Sequence, residues 1–292
     1  MGEYDATAGT LLLGIILNTY LFGIVTYQFI SYYSLNFNDT LWIKATVFIL
    51  LIVDVAHSIS LVYMAWLYLV SNFDNPSAFL LGSWPYCITP ILTAVTTILT
   101  QHFMAYRIYQ MTKNRYLYVG IMAFSLADFI AASVSGAQAC QIPKQIMLGA
   151  IDCVVIIWLA GQAILDFFLA CFTSVGLYRR RTDYYRTNRI LNRCIRSAIQ
   201  IGFFSTTFAI ANLVAFLTWR QANLYGMFAF PIGRIYTNAI MDTLIVRASL
   251  RDQIAGAHEV LDTDVACSSS PNGHRCREAR GVGLCNISSG TD

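Results

Sequence analysis

Apolar residues in this chain gather into seven long blocks, over about 7–33, 42–71, 86–110, 116–139, 149–178, 194–219 and 223–247. Short polar breaks separate them, reading in order NFNDT, NFDNPS, TKNR, CQIPKQ, RRRTDYYRTNR and RQAN. Each block reaches or exceeds the roughly 20 residues that a helix needs to cross the hydrocarbon core of a bilayer. In hydrocarbon the backbone polar groups must be satisfied within the segment, so the blocks are predicted to be helices. The pattern predicts an all-α, polytopic, seven-transmembrane bundle over residues 1–251. A polar, Gly- and Ser-containing tail follows over 252–292. It shows no apolar periodicity and is expected to be disordered. The first block is read as a permanent span, because its leading residues MGEYD are acidic and the block is too long for a cleaved signal.

Composition sharpens this reading. The chain has 292 residues, 57% of them hydrophobic and only 12% charged. Soluble domains carry about 25% charged residues. The eight cysteines are too sparse for a disulfide scaffold. The net charge of +3 comes from basic residues crowded on one side of the expected bundle. Arg179, Arg180, Arg181, Arg186, Arg189, Arg193 and Arg196 lie in the loop between spans five and six and its flanks. Arg107, Lys113 and Arg115 lie between spans three and four, and Arg247 and Arg251 follow span seven. The opposite side holds Lys144 and Arg220. This asymmetry predicts an external N-terminus and a cytosolic C-terminus. A multi-pass protein of the plasma membrane, in contact with lipid, is expected. The basic segment 179–196 is read as a topology signal resting on anionic lipid. Docking of a cytosolic protein is the sharper alternative. Nucleic acid is not an expected partner of a cluster held at a membrane.

The candidate chemistry lies inside the spans. Arg234 falls about eleven residues into span seven, roughly 16 Å deep at 1.5 Å per residue. Asp54, Asp128 and Asp166 share that slab, and His57 follows Asp54 on the same helical face. Charges near the bilayer centre cost about 2.5–3.5 kcal/mol and are paired or turned inward. Two roles compete. The charges form a buried ion pair that fixes helix register, or they line a ligand or ion pathway. Pro231 is expected to free a carbonyl for Arg234, and Gly233 to permit close helix approach.

Several phrases occur together in order: GIILNTYLFGIVTYQ, DVAHSIS, QHFMAYRIY, LDFFLACFTSVGLYRRR and FPIGRIYTNAIMDTL. This set resembles a family of seven-pass integral membrane proteins from mushroom-forming fungi, defined by a C-terminal domain of unknown function over the last three spans, here about 160–247. The resemblance covers about residues 8–247. It implies a carboxylate, a basic loop, then a basic residue followed by a Tyr-x-Asn step. Those positions here are Asp166, the 179–196 segment, Arg234, Tyr236 and Asn238. It further implies that Arg234 pairs with Asp166. It implies no activity.

Much chemistry is excluded. Span seven has no lysine for a retinal Schiff base. Only His57 and His102 lie in spans, without a His-Glu-x-x-His pattern, so no zinc centre is expected. No phosphate-binding loop is present, and Asp128 and Asp166 lack a Gly-x-Gly-Asp setting for intramembrane proteolysis. No enzyme, metal or cofactor is expected. Cys87 stands at the outer end of span three, and Cys140 near the outer loop between spans four and five. A disulfide between them would match the layout of many seven-helix receptors; the alternative is lipid-buried thiols. The functional expectation is a receptor-like bundle whose cluster of Asp54, His57, Asp128, Asp166, Arg234, Tyr236 and Asn238 binds a small ligand. A transporter using the same groups is the alternative.

Overall fold

A computed structural model describes residues 8–35, 39–72, 83–141, 150–179, 185–218 and 224–269. Among these residues the protein is all-α, with seven helices and no strand. They are α1 (Thr10–Ser34), α2 (Leu41–Trp66), α3 (Trp84–Thr112), α4 (Arg115–Gln141), α5 (Ala150–Tyr178), α6 (Tyr185–Thr218) and α7 (Leu224–Ser269). A π-helical turn, Leu67–Ser71, closes α2. The chain forms two compact units, Met1–Ile245 and Val246–Asp292.

Local chemistry explains the boundaries. Pro85 stands in the first turn of α3, where its missing N–H leaves no bond unmade. At the other end Lys113 takes a left-handed conformation, φ 57°, and stops the helix. Asn114 Oδ1 then accepts the Tyr116 N–H at 3.0 Å and the Leu117 N–H at 3.4 Å, which caps α4. Inside α3 the hydroxyls of Thr89, Thr96, Thr97 and Thr100 each donate to the carbonyl four residues back. A threonine-rich helix thereby carries no unpaired hydroxyl at those positions.

The polarity of the bundle is inverted relative to a soluble protein. Ile16, Ile59, Phe48, Ile130, Phe167 and Phe204 are exposed, while Asp54, Gln101, Asp166 and Arg234 are buried. Among the described residues five helical segments are long and apolar enough to cross a membrane: Thr10–Ser34, Leu41–Ser71, Trp84–Thr112, Arg115–Ala139 and Cys153–Gly176. In α6 a shorter apolar stretch runs over Gly202–Thr218. These features mark an integral membrane protein whose apolar surface meets the lipid tails.

Two segments depart from the sequence expectation. α6 begins at Tyr185, so Arg186, Arg189, Arg193 and Arg196 stand on helix rather than on a loop. Their i, i+3, i+7, i+10 spacing sets them along one side of it. Helix α7 runs on through Ser269. Residues 252–269 are therefore helical where disorder was expected. The signal was Ile254, Ala257, Leu261 and Val265, an apolar 3-4-4 spacing hidden in a polar stretch. The rest of the tail, 270–292, lies outside the described residues.

Glycines set the closest helix approaches, but Gly233 is not one of them. A Cβ built on Gly233 meets nothing within 4 Å, whereas one on Gly14 meets Gly226 O and Met227 Cα, each at 3.0 Å. Close approach belongs instead to contacts such as α1–α7 at Gly14 and α5–α6 at Gly202, where a Cβ would run into Ala170. Gly233→Ala is expected to raise stability by about 0.5–1 kcal/mol, the ordinary gain of Ala over Gly inside a helix. Thermal unfolding in detergent or nanodiscs reads the shift; a drop would mean that Gly233 sits against something.

Candidate functional site

Helix α7 is the hub of the interior. Every residue from Phe230 to Thr237 is buried. A helix turns about 100° per residue, so Arg234 and Tyr236 leave α7 about 200° apart. Arg234 reaches α2, Tyr236 reaches α5, and Asn238, one turn beyond Arg234, meets Gln28 of α1. One short polar step on α7 therefore ties three helices together.

The partner of Arg234 is Asp54, not the Asp166 that the family resemblance implied. The guanidinium Nη1 donates to Asp54 Oδ1, and Nη2 donates to the Asp54 carbonyl at 2.6 Å and to Ser58 Oγ at 2.8 Å. The pair is fully enclosed, with Arg234 0% and Asp54 1% exposed. Its acceptors come from α2 alone; the carbonyl that Pro231 was expected to release is not among its hydrogen bonds. Phe22 of α1 places its ring 5.1 Å from the guanidinium carbon, a cation–π contact. The physical reason for the difference is the rotational phase of α7, which turns Arg234 away from α5 and gives that side to Tyr236.

Apolar layers seal the pair on both sides. Leu11, Ile15, Leu61, Met64 and Phe230 form one cluster toward the N-terminal end of α1. Val25, Phe29, Val47, Leu50 and Ile240 belong to another toward its C-terminal end. His57, on the Asp54 face as expected, is buried between them. The pair joins α2 to α7 in this low-dielectric setting.

A second polar group lies on the other side of α7. The Tyr236 hydroxyl donates to Asp166 Oδ2 and accepts from Gln162 Nε2, the latter at 2.8 Å. Gln162 and Asp166 are four residues apart, one turn of α5, so they share a face. Asp128 of α4 is buried and packs against α5, where residue 161 is glycine; a Cβ there would stand 2.8 Å from Asp128 Oδ1. From α3, Gln101 stands beside Asp166 and accepts from Ser125 Oγ at 2.6 Å. The expected cluster therefore splits into two. Asp54, His57 and Arg234 form a paired centre on α2 and α7. Asp128, Asp166 and Tyr236 form an acidic seam among α4, α5 and α7. Arg234 is the one buried lysine or arginine among the described residues, and Asp54 holds it. The seam has no cation of its own among those residues.

Sequence reasoning passed over Ser58, Gln28, Ser125 and Gln162. The i, i+4 spacings from Asp54 to Ser58 and from Gln162 to Asp166 were the available signals. Arg179 is exposed at the end of α5. Arg180 and Arg181 lie outside the described residues, as do the side chains of Arg186, Arg189, Arg193 and Arg196. Cys87 is buried, and the side chain of Cys140 lies outside the described part, so their pairing falls there too.

No curated protein and no solved structure matches the chain. The family match takes in Gln162, Asp166, Arg234, Tyr236 and Asn238 and leaves out Asp54, Gln101 and Asp128, so each polar centre draws part of its chemistry from outside it. Residues 162–249 of this chain match a family of unknown function, DUF6534.

Proposed function

We propose that the chain is a seven-pass, receptor-like membrane protein of the cell surface, with its N-terminus outside and its C-terminus in the cytosol, that holds a small ligand at mid-depth. One observation carries the reading: the polar residues of α7 are turned inward and joined at one level to α1, α2 and α5. A helix enclosed by its neighbours need not be apolar to cross a bilayer. On this reading α7 crosses the bilayer although it is more polar than α1–α5 and is not among the five long apolar segments. The positions of Lys and Arg and the resemblance to a seven-pass fungal family support the same count and sidedness. On this reading the Arg186–Arg196 side of α6 faces the cytosol, where it is available to a protein partner. No enzymatic chemistry is assigned.

A transporter is the second reading. It draws on the buried Asp128, Asp166 and Tyr236, and it requires that the ligand crosses. Uptake into vesicles that is lost in Asp166→Asn would favour it over a receptor.

Sidedness tests the frame. A tag placed after Asp292 is expected to be stained only in permeabilised cells, and the sequons at Asn38 and Asn286 are expected to stay unglycosylated. A tag visible on intact cells, or a glycosidase-sensitive shift at Asn286, would remove the seven-pass layout.

A further inference from the structure

We propose that an enclosed space beside Gly233, between α1, α2 and α7, seats a small neutral alcohol whose hydroxyl group bonds Asn18, His57 and Arg234. This rests on the reading that the bundle binds a small ligand at mid-depth, and it names that ligand's chemistry and its contacts.

The two apolar layers fix the level of these three residues. Ile15, Leu61 and Phe230 belong to one cluster. Asn18, His57 and Arg234 each stand one turn from it, three residues on in α1, four back in α2 and four on in α7. Val25, Leu50 and Met241 belong to the other cluster, and each lies seven residues, or two turns, on the opposite side of the same three. Asn18, His57 and Arg234 therefore occupy one level between the layers. Direct contacts tighten this placement. Phe22, one turn on from Asn18, lies 5.1 Å from the Arg234 guanidinium carbon. Asp54 and Ser58, on either side of His57 in α2, both bond that guanidinium.

Each of the three carries a buried polar atom that no described residue satisfies. Asn18 is 1% exposed, His57 2% and Arg234 0%. Asn18 Oδ1, His57 Nε2 and Arg234 Nε have no hydrogen-bond partner among the described residues. Polar atoms left so in a low dielectric are costly. Their roles define the group that would satisfy them. Asn18 Oδ1 accepts, Arg234 Nε donates, and His57 Nε2 does either according to its tautomer. A hydroxyl fits this set: it donates to Asn18 Oδ1, and its oxygen accepts from Arg234 Nε–H and from His57 Nε2–H. An ion does not fit, because Asp54 already balances the guanidinium.

An independent observation supplies the room. Gly233 is buried, yet a Cβ built on it meets nothing within 4 Å. A position that is both buried and open borders an enclosed space. Helical phase gives its direction. Gly226, two turns before Gly233 on the same face, abuts Gly14 of α1. Gly233 therefore opens toward α1 between Asn18 and Val25, within the layer that holds the three unpaired atoms. The apolar end of the alcohol lies beside Gly233, and its hydroxyl reaches Asn18. A neutral compound also enters this depth through the lipid without the cost that a charge meets there.

The test uses the full chain purified into nanodiscs. Thermal unfolding is followed in 1-butanol and in its isomer diethyl ether, which accepts hydrogen bonds but has no O–H to donate. Both probes disturb the bilayer, so the difference between them reads the seat. The midpoint in butanol is expected to stand about 3–5 °C above that in ether once butanol is tenfold above its dissociation constant. Gly233→Ala puts a methyl into the space and touches no polar group. It should weaken butanol binding about tenfold in a protein at least as stable as the parent. Asn18→Leu keeps the size, removes the acceptor and should erase the difference between the probes. Gly233→Ala keeps the test decisive where Asn18→Leu does not fold. Equal midpoints in butanol and ether would overturn the proposal and leave the three atoms to internal water only. A butanol effect unchanged in Gly233→Ala would overturn it too, by placing the alcohol elsewhere. A C-terminal tag stained only after permeabilisation, with no butanol effect, sinks the seat and spares the bundle; a tag seen on intact cells, with butanol binding intact, does the opposite.

Discussion

Asp54→Ala will lower stability by about 3–5 kcal/mol, the cost of leaving a buried charge without its partner. At about 2–4 °C per kcal/mol, the unfolding midpoint in nanodiscs should fall by about 10 °C. The reason lies in what remains. Arg234 would keep Ser58 and the residue 54 carbonyl but lose its counter-charge, and both apolar layers around it exclude water. Arg234→Met alone leaves Asp54 stranded and should cost about as much. The double variant, Asp54→Leu with Arg234→Met, removes both desolvated charges and should recover most of the loss, because well-packed apolar replacements of buried pairs are often neutral or better. Asp166→Asn is the control. Its amide can still accept from Tyr236, and Arg234 is untouched, so it should cost much less. If Asp166→Asn were as damaging as Asp54→Ala, and the double variant no better than either single, the assignment of Arg234 to Asp54 would be wrong.

That contrast shows what the sequence could carry. Lipid imposes long apolar runs and paired backbones, so the helices α1–α5 are readable from block length, and each observed helix overlaps its predicted block. The inward turn of Asp54 and His57 was readable as well, since a charge facing lipid is so costly. The choice of partner was not. It depends on which way α7 is rotated and on which helices lie around it, and both are long-range properties. The Arg-x-Tyr-x-Asn step looked like one site because its residues are adjacent in the chain. On a helix adjacent residues point apart, so the step serves three neighbours instead. The same local reading hid the start of α6. Its first turns are too polar to resemble a span, and only the 3-4-3 spacing of the arginines disclosed a helix. Gln162 was passed over for a related reason: it carries no charge to draw notice, yet its amide holds the Tyr236 hydroxyl that donates to Asp166.

Gly14→Leu is expected to be strongly damaging although it touches no charge. A Cβ at residue 14 would lie 2.9 Å from Phe230 Cδ2 and 3.0 Å from both Gly226 O and Met227 Cα. Phe230 could rotate, but backbone atoms cannot step aside without moving the helix. The remaining carbons of leucine have no space, so α1 must move off α7. Overpacking of this kind costs about 1–3 kcal/mol. The displacement should be felt further along the same helix pair, where Phe22 covers the Arg234 guanidinium and Gln28 meets Asn238. A cysteine pair replacing Gln28 and Asn238 gives a direct readout. It should cross-link readily in the otherwise native chain and poorly beside Gly14→Leu. Gly14→Ala, with one methyl only, should give an intermediate rate. If Gly14→Leu cross-links as fast as the parent and unfolds at the same temperature, α1 and α7 do not meet at Gly14. The inward-facing hub would then lose one of its three helices, while the Arg234–Asp54 pair, which needs only α2 and α7, would stand.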